Sequence, residues 1–273
     1  MVSVNSSISS AAALSSLRNI SKLMEQSQNR IATGLKVASA SDNAAIWATA
    51  TKLRSESAAN STLKSAMSTA QGQAEGTAAV LDQIAEVLGK MKETLALGYN
   101  SAADYSGIDS QIAGYQSQIK TLVSGANING ENWLNAVVGK DVTVSVSGSD
   151  ATNVTFTQAT AFNADTDYAA AIATMATTNA TTAGSNIDLV DAALKKVTAY
   201  AVKVGAFSDS LDTMKSLQDT VDGIRQKAIG ELVDADMEKE SARVTALQVQ
   251  QQLAYQALAI GNSSAQNVLR LFQ

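Results

Sequence analysis

The chain contains no proline in 273 residues. Proline in a helix interior costs roughly 3 kcal/mol, so its absence removes the strongest local interruption of a long helix. Apolar residues recur at helical spacing towards both ends of the chain, whereas alternation with a period of two is confined to the middle. The sequence therefore predicts a mainly α fold: a long antiparallel helical rod with terminal coiled-coil helices and a small β-hairpin region in the middle of the chain.

The composition argues against catalysis. The chain has no cysteine and no histidine, which excludes a thiolate nucleophile, an imidazole base and a metal site built from either side chain. Four carboxylates cluster before and within the C-terminal helix: Asp234, Asp236, Glu238 and Glu240. No nucleophile accompanies them, and the helix dipole by itself favours acidic residues in a first turn. We therefore expect a protein that is not an enzyme and that holds no cofactor or metal.

The aromatic content and the distribution of charge predict how the chain packs and which classes of partner it lacks. Aromatic residues make up only 4% of the chain, so we expect closely packed helices with small side chains and no bulky central core. The net charge is −5 and the sequence has no basic stripe for phosphates, which argues against nucleic acid. Residues 1–17 lack the cationic start and apolar block of a general secretory signal peptide. Residues 244–269 are uncharged, but eight Gln and Asn side chains argue against membrane insertion.

The middle of the chain predicts the β structure. Residues 142–147 and 154–157 alternate β-branched and polar side chains, and residues 148–153 between them are typical of a hairpin turn. Residues 168–175 predict one short helix. The pattern divides the chain into five segments: a terminal helix over 1–33, a connector and helices over 34–136, a short hairpin and loop insert over 137–185, a helix over 186–231, and a C-terminal helix over 232–273.

Both ends of the chain predict packing against other molecules. Residues 1–17 and 244–269 carry no charged side chain. The C-terminal segment has one apolar stripe through Val244, Leu247 and Leu258, and a second stripe covers another face: Val249, Leu253, Ala257, Ile260 and Leu271. A helix that is apolar on two sides must be surrounded, and one N-terminal helix cannot surround it. We interpret this as packing between subunits, with an ordinary intramolecular coiled coil as the alternative.

Several motifs then resemble one family. Residues 30–45, Arg-Ile-Ala-Thr-Gly-Leu-Lys-Val-Ala-Ser-Ala-Ser-Asp-Asn-Ala-Ala, resemble the run near the start of bacterial flagellins. Residues 127–134, Asn-Ile-Asn-Gly-Glu-Asn-Trp-Leu, resemble the family's Asn-Gly stretch. Residues 232–236, 248–252 and 266–272 resemble its closing pattern. With the short outer insert and Ile-Trp-Ala-Thr-Ala at 46–50, the chain is similar to short flagellins of alphaproteobacteria.

This resemblance implies a structural subunit of the bacterial flagellar filament, used for swimming motility. It further implies export of the unfolded chain through the flagellar type III apparatus and self-assembly outside the cell. The terminal helices would become ordered on assembly and form a concentric inner tube. The implied partners are identical or sibling flagellins, an export chaperone, and the hook-associated and cap proteins. The implied location is secreted and extracellular, in the filament.

The resemblance also assigns roles to residues. The side chains expected to pack in the inner tube are Leu17, Met24, Ile31, Leu247, Leu253, Leu258 and Leu269. The residues expected in the connector between subunits are Arg30, Lys36, Asp42 and Asn43. The residues that are candidates for O-glycosylation are Ser145, Ser147, Ser149, Thr152, Thr155, Thr157 and Thr160.

Two alternatives to a filament subunit remain open from the sequence. A flagellar hook-filament junction protein would share the terminal motifs without polymerising indefinitely. A secreted adhesin or glycan-binding surface protein would need aromatic or charged side chains clustered in the outer insert. In that insert only Phe156, Phe162 and Tyr168 are aromatic.

Overall fold

The structure is a computed structural model that describes residues 8–99, 103–135, 139–147, 150–157, 172 and 175–270. Its helices are α1 (Ile8–Thr33), α2 (Ala44–Leu97), α3 (Tyr105–Gly125), α4 (Ala180–Val233) and α5 (Met237–Arg270). Its strands are β1 (Gly139–Ser147) and β2 (Asp150–Thr157). The predicted mainly α fold with one small hairpin is confirmed.

The chain divides into two compact units. The terminal unit comprises Met1–Ser57 and Gly223–Gln273, and the central unit comprises Ala58–Asp222. In the central unit the strong apolar stripe of α2 is buried as its periodicity predicts, with Leu81, Ile84 and Leu88 fully enclosed. Residues of α3 and α4 complete this core: Ile108, Ile112, Ile119, Val123, Val190, Val197, Val204 and Leu211.

The expectation of a core without bulky groups is wrong for the central unit. The Trp133 ring stacks on Phe156 with centroids 5.1 Å apart, and Phe207 meets the edge of Trp133 at 5.8 Å. Tyr200 contacts Phe156 at 5.9 Å and donates its hydroxyl to the Trp133 carbonyl at 2.9 Å. Few aromatic residues are present, but four of them, from three separate parts of the sequence, pack together in one cluster. Composition does not predict such a gathering.

The hairpin differs from its predicted form. β2 begins at Asp150, so residues 150–153, which the sequence assigned to the turn, belong to the strand. The antiparallel register pairs Thr143 with Asn153 and then Ser145 with Thr152, which leaves Val144 as an extra residue in a β-bulge. Val142, Val144 and Phe156 are buried against the helices. Most of the predicted helix at 168–175 lies outside the described residues.

Capping side chains set the helix starts in the central unit. The Asp104 carboxylate accepts from the Gly107 amide at 3.1 Å, which fixes the first turn of α3. The Asn179 side chain accepts from the Thr182 amide at 2.8 Å, so α4 begins at Ala180, before its apolar periodicity resumes at Ile187. Polar capping residues precede the periodic pattern, which is why periodicity alone places these starts too late.

Helices α1 and α5 pack antiparallel in the terminal unit. Arg30, near the end of α1, contacts Glu240 in the first turn of α5. Leu17, near the middle of α1, and Leu247 of α5 are both buried.

Candidate assembly surface on the terminal helices

One apolar stripe of α5 packs against α1. Leu247 is buried, and Val244, Ala254 and Leu258 of the same stripe are half-buried. On α1, Leu17 is buried and the heptad continues through the half-buried Met24 and Ile31. The alternating three- and four-residue steps of both helices therefore form the intramolecular contact.

The second stripe of α5 has no partner within the described residues. Val249, Leu253 and Ile260 expose 51%, 58% and 67% of their surface, and Ala257 is also exposed. Leu271, the last member of the stripe, lies outside the described residues. Large aliphatic side chains exposed on the face opposite the packed side make this stripe a candidate contact surface.

Between α1 and α5 lies a shallow groove of about 440 Å³. Its apolar lining comes from both helices: Leu14, Leu17, Tyr255 and Leu258. Its polar rim comes from α1: Arg18, Ser21, Lys22 and Glu25. Leu14 and Tyr255 expose 44% and 56% of their surface, so the groove is open and apolar at its base. The sequence did not identify Leu14 or Tyr255 as site residues.

The connector after α1 is fixed by backbone pairing with the segment between α4 and α5. The Lys36 amide donates to the Val233 carbonyl at 2.7 Å, and the Ala235 amide donates to the Gly34 carbonyl at 2.8 Å. Gly34 has a φ of 71°, a left-handed conformation that ends α1 and that glycine adopts without strain. The reversal of the chain at Gly34 thus allows the two segments to form a short antiparallel bridge.

The predicted connector side chains all have partners in the same chain. Arg30 Nη1 lies 3.0 Å from Glu240 Oε1, and Lys36 Nζ donates to the Glu231 carbonyl at 2.8 Å. The Asn43 side chain accepts from the Ile46 amide at 3.1 Å, which caps α2. These contacts describe a stable connector within one chain, and a role for the same residues between subunits remains a prediction.

Asp42 closes a tight polar turn in that connector. Its Oδ2 accepts from the Ser39 amide at 2.9 Å and from the Ala38 amide at 3.1 Å. The Ser39 hydroxyl adds a third hydrogen bond to the same oxygen. Hydrogen bonds from the Ser39 amide, and then from its hydroxyl, hold the pKa of the Asp42 carboxyl below its usual value.

Glu240 sits at the contact between α1 and α5 and is 7% exposed. Burial raises the pKa of this carboxyl, but hydrogen bonds from the Ser27 hydroxyl and Arg30 outweigh burial, and the pKa lies below its usual value. Ser27 itself is 1% exposed, so the polar contact is enclosed between the helices. From the sequence, Glu240 was explained only as an acidic residue favoured by the helix dipole in a first turn. Its ion pair with Arg30 arises because α1 and α5 pack antiparallel.

The other carboxylates of the acidic cluster act locally. Asp236 Oδ1 accepts from the Lys239 amide at 3.1 Å and caps α5. Glu238 lies in the first turn of the helix and is exposed. Asp234 pairs with Leu35 through its backbone, in the antiparallel bridge described above.

The structure places the predicted inner-tube residues on two different faces. Leu17 and Leu258 line the groove between α1 and α5, and Leu247 is buried. Met24 and Ile31 are half-buried and continue the heptad of Leu17 along α1. Leu253 points away from that contact and is exposed. The side chain of Leu269 lies outside the described residues. The set therefore mixes side chains already packed within one chain with one that is free to meet a neighbour.

The candidate glycosylation residues lie on the hairpin. Thr152, Thr155 and Thr157 are exposed, and Ser145 is half-buried. Ser149, Thr160 and the side chain of Ser147 lie outside the described residues. Accessibility of the three threonines agrees with modification, which remains a prediction.

Among the described helices, none is long and apolar enough to cross a membrane.

Comparison with known proteins covers most of the chain. Residues 4–138 match the model of the bacterial flagellin N-terminal helical region, and residues 187–272 match that of the C-terminal helical region. The chain is 34% identical over 282 residues to a flagellin of Brucella melitensis, and both chains are covered completely. It is 32% identical over 320 residues to flagellin C of Rhizobium meliloti, again with complete coverage of both.

Solved structures also show the likeness of fold. A structure described as a flagellar hook-associated protein from Vibrio parahaemolyticus aligns with a TM-score of 0.55 at 15% identity. The alignment covers 71% of this chain and all of that chain. At this level of identity the likeness concerns the fold alone.

Proposed function

Since the chain belongs to the bacterial flagellin family and is a structural subunit of the flagellar filament, we propose that its terminal helices polymerise through the exposed stripe of α5. In this proposal the contact between α1 and α5 forms within each subunit. Val249, Leu253 and Ile260 then pack against terminal helices of neighbouring copies, which builds an inner tube.

The exposed stripe is the observation that carries the proposal. Three large aliphatic side chains, each more than half exposed, lie on a helix segment without charge between residues 244 and 269. Removing apolar surface from water contributes about 25 cal/mol per Å², and this contribution becomes available when copies meet. An uncharged interface also avoids the cost of burying unpaired charges, which is several kcal/mol each.

Assembly outside the cell follows from the same proposal. The chain would bind an export chaperone and leave the cell unfolded through the flagellar type III apparatus. It would then be a secreted, extracellular component. At the growing end it would meet cap and hook-associated proteins and identical or sibling flagellins. The absence of proline supports rapid ordering of long helices on arrival, since no slow proline isomerisation is needed.

Two further roles belong to this proposal. The connector residues Arg30, Lys36, Asp42 and Asn43 would hold the terminal unit in the geometry that lets copies interlock. The exposed hairpin threonines would carry O-linked glycans on the finished filament. Neither role requires catalysis by this chain, and the family to which it belongs is structural.

The direct test is Leu253→Asp. A carboxylate on the stripe should abolish polymer, whereas the secreted amount should stay unchanged because Leu253 is exposed in the single chain. Leu253→Met, which keeps an apolar side chain of similar volume, is the matched control and should give filaments. Electron microscopy and sedimentation measure polymer, and immunoblotting of the culture medium measures secretion. Normal filaments from Leu253→Asp would refute the proposal.

The two alternatives have less support. Full-length matches to proteins named flagellin favour a filament subunit over a hook-filament junction protein, whose likeness here is one of fold. An adhesin would need aromatic or charged side chains clustered in the insert, and of its aromatic residues Phe156 is buried in the aromatic cluster. Phe162 and Tyr168 lie outside the described residues. Unlimited filament growth from purified protein would distinguish a filament subunit from both alternatives.

A further inference from the structure

The chain contains a single Asn-Gly step, Asn129 and Gly130, in the loop after α3. Asparagine is among the thermolabile residues of proteins. Its side-chain carbonyl carbon is open to attack by the amide nitrogen of the next residue, and glycine, which has no side chain, hinders this attack least. Asn129 and Gly130 are both exposed, so water reaches them and ammonia can leave. Whether the reaction occurs therefore depends on the backbone conformation.

The backbone holds this step in a tight turn. The Ile128 amide donates to the Glu131 carbonyl at 2.8 Å, and the Glu131 amide donates to the Ile128 carbonyl at 3.2 Å. Asn129 and Gly130 lie between these hydrogen bonds with φ of 53° and 84°. Positive φ at both central residues is typical of a type I′ turn, for which Asn-Gly is a preferred pair.

This conformation keeps the reacting atoms apart. Ring closure joins the Gly130 nitrogen to Asn129 Cγ in a flat five-membered ring, so that nitrogen must eclipse Asn129 Cβ about the Cα–C bond. The first central residue of a type I′ turn has ψ of about +30°, whereas the eclipsed position needs ψ of about −120°, which at positive φ belongs to the glycine of a type II′ turn. Asparagine avoids that combination, so both φ and ψ must change. The turn therefore has to open before Asn129 reacts.

Contacts on both sides of the turn hold it closed. The Ile128 side chain lies against α2 at Gly76, and Gln73 of the same helix donates to the Ile128 carbonyl at 3.5 Å. On the other side, both carboxylate oxygens of Glu131 accept from Lys140 of β1 at 2.6 Å. Opening the turn therefore requires the loss of contacts with α2 or with β1.

We propose that Asn129 is a deamidation site that is protected in the folded chain and reactive when the central unit is unfolded. In the reaction the Gly130 nitrogen forms a bond to Asn129 Cγ and loses its proton, and the side-chain nitrogen leaves as ammonia. Water then opens the cyclic imide at either carbonyl, which leaves aspartate or isoaspartate in place of Asn129. Neither step requires assembly, so the modification goes beyond the proposed function and does not depend on it.

The products should interfere with closure of the turn. Isoaspartate adds a methylene group to the main chain between Ile128 and Glu131, whose amide and carbonyl groups then no longer align. Either product also adds a carboxylate to a groove of about 470 Å³ that Glu131 and Asp141 already line. A chain that is modified while unfolded should therefore refold less completely than an intact chain.

The test compares deamidation of the full-length chain in native buffer and in guanidinium chloride, at the same alkaline pH and temperature. Trypsin releases residues 121–140 as one peptide, in which mass spectrometry measures deamidation at each asparagine. At Asn129 the folded chain should react at least about tenfold more slowly, which corresponds to about 1.4 kcal/mol of local protection. Asn132 and Asn135 precede tryptophan and alanine, so in denaturant both should react more slowly than Asn129.

Ile128→Ala separates protection by the turn from overall stability. It removes the contact with α2, so Asn129 of the folded chain should react several-fold faster, with no change in guanidinium chloride. The matched control is Leu122→Ala, which truncates a half-buried side chain of α3 outside the turn and should leave the folded-state rate unchanged. Circular dichroism checks that each variant is folded. If Ile128→Ala does not fold, Gln73→Ala, which removes only the hydrogen bond to the Ile128 carbonyl, takes its place.

Three results would overturn the proposal. Equal rates at Asn129 in the folded and unfolded chain would exclude protection by the fold. A rate at Asn129 no higher than that at Asn132 in denaturant would exclude the site. Equal acceleration by Ile128→Ala and Leu122→Ala would assign the protection to overall stability instead of the turn. None of these measurements uses filaments, so each result is independent of the proposed function.

Discussion

Gln218 of α4 donates its side-chain amide to the carbonyl oxygen of Val144 at 2.6 Å, and both residues are buried. Val144 is the extra residue of the β-bulge, so it is skipped in the register of the two-stranded ladder. The Gln218 side chain thus provides a hydrogen-bond donor for the Val144 carbonyl at a buried position that water does not reach. The hairpin is therefore attached to the helices of the central unit by a specific hydrogen bond as well as by aromatic packing.

We expect Gln218→Ala to destabilise the central unit by about 1–3 kcal/mol, the usual cost of leaving a buried acceptor unpaired. The loss should appear as a lower urea midpoint and as faster hydrogen exchange in β1 and β2. Gln118→Ala removes an exposed amide from α3 and should change stability by no more than about 0.5 kcal/mol. Equal stability of Gln218→Ala and Gln118→Ala would contradict the assigned hydrogen bond.

Truncation of the aromatic cluster should be more damaging. Phe207→Ala removes a ring that touches both Trp133 and Phe156, and we expect a loss of about 3–5 kcal/mol in the free energy of unfolding. The measurement is urea denaturation followed by circular dichroism. On the same helix, Leu217 is 51% exposed, and Leu217→Ala should cost the monomer far less. A Phe207→Ala variant as stable as Leu217→Ala would show that the cluster does not stabilise the fold.

Two glycines one turn apart on α2 should respond differently to alanine. A Cβ at Gly72 meets nothing within 4 Å, so Gly72→Ala should stabilise the helix by up to about 1 kcal/mol. A Cβ at Gly76 would meet the end of the Ile128 side chain, which must move aside, so Gly76→Ala should be less stable than Gly72→Ala by about 1 kcal/mol or more. Thermal unfolding of the two variants measures the difference. Equal stabilisation by both would contradict the close contact between Gly76 and Ile128.

Acid should weaken the contact between α1 and α5 through Glu240. Because the folded-state pKa lies below the ordinary value of 4.5, the stabilisation is fully present above that pH. It is lost as pH falls through the lowered pKa. The groups that face this carboxyl are Ser27, Arg30 and, through its charge, Arg243.

Glu240→Gln should therefore melt at a lower temperature than the unsubstituted chain at pH 7, and the difference should narrow as pH falls below about 4.5. Melting temperatures from circular dichroism at pH 7, 5 and 3 provide the test. Glu75→Gln removes an exposed carboxylate from α2 and is the control for the change in charge alone. A difference that stays constant from pH 7 to pH 3 would contradict the role of the ionised Glu240.

Periodicity predicted the helices well because the pattern is local. The stripe through Leu81, Ile84 and Leu88 is buried on the face that its spacing indicates, and the absence of proline agrees with two helices of 54 residues each. The two apolar stripes of α5 were also visible in the sequence, since each follows from residue type and spacing alone. Which stripe faces α1 was not, because both stripes are similarly apolar.

The sequence did not predict the contacts between residues that lie far apart in the chain. Trp133 and Phe207 are 74 residues apart and meet only because the helices return past each other. The β-bulge at Val144 and its partner Gln218 depend on a register that residue types do not specify.

The sequence by itself determined that this protein is helical, that residues 1–17 and 244–269 carry no charged side chain and that its family is flagellin. All three follow from local spacing, composition and motifs. Tertiary structure alone decided that Leu247 is enclosed while Leu253 faces outward, and that Glu240 meets Arg30 while Glu238 remains exposed. The reason is physical: a helix has several faces of similar character, and only the direction in which a partner helix packs selects the one that is buried.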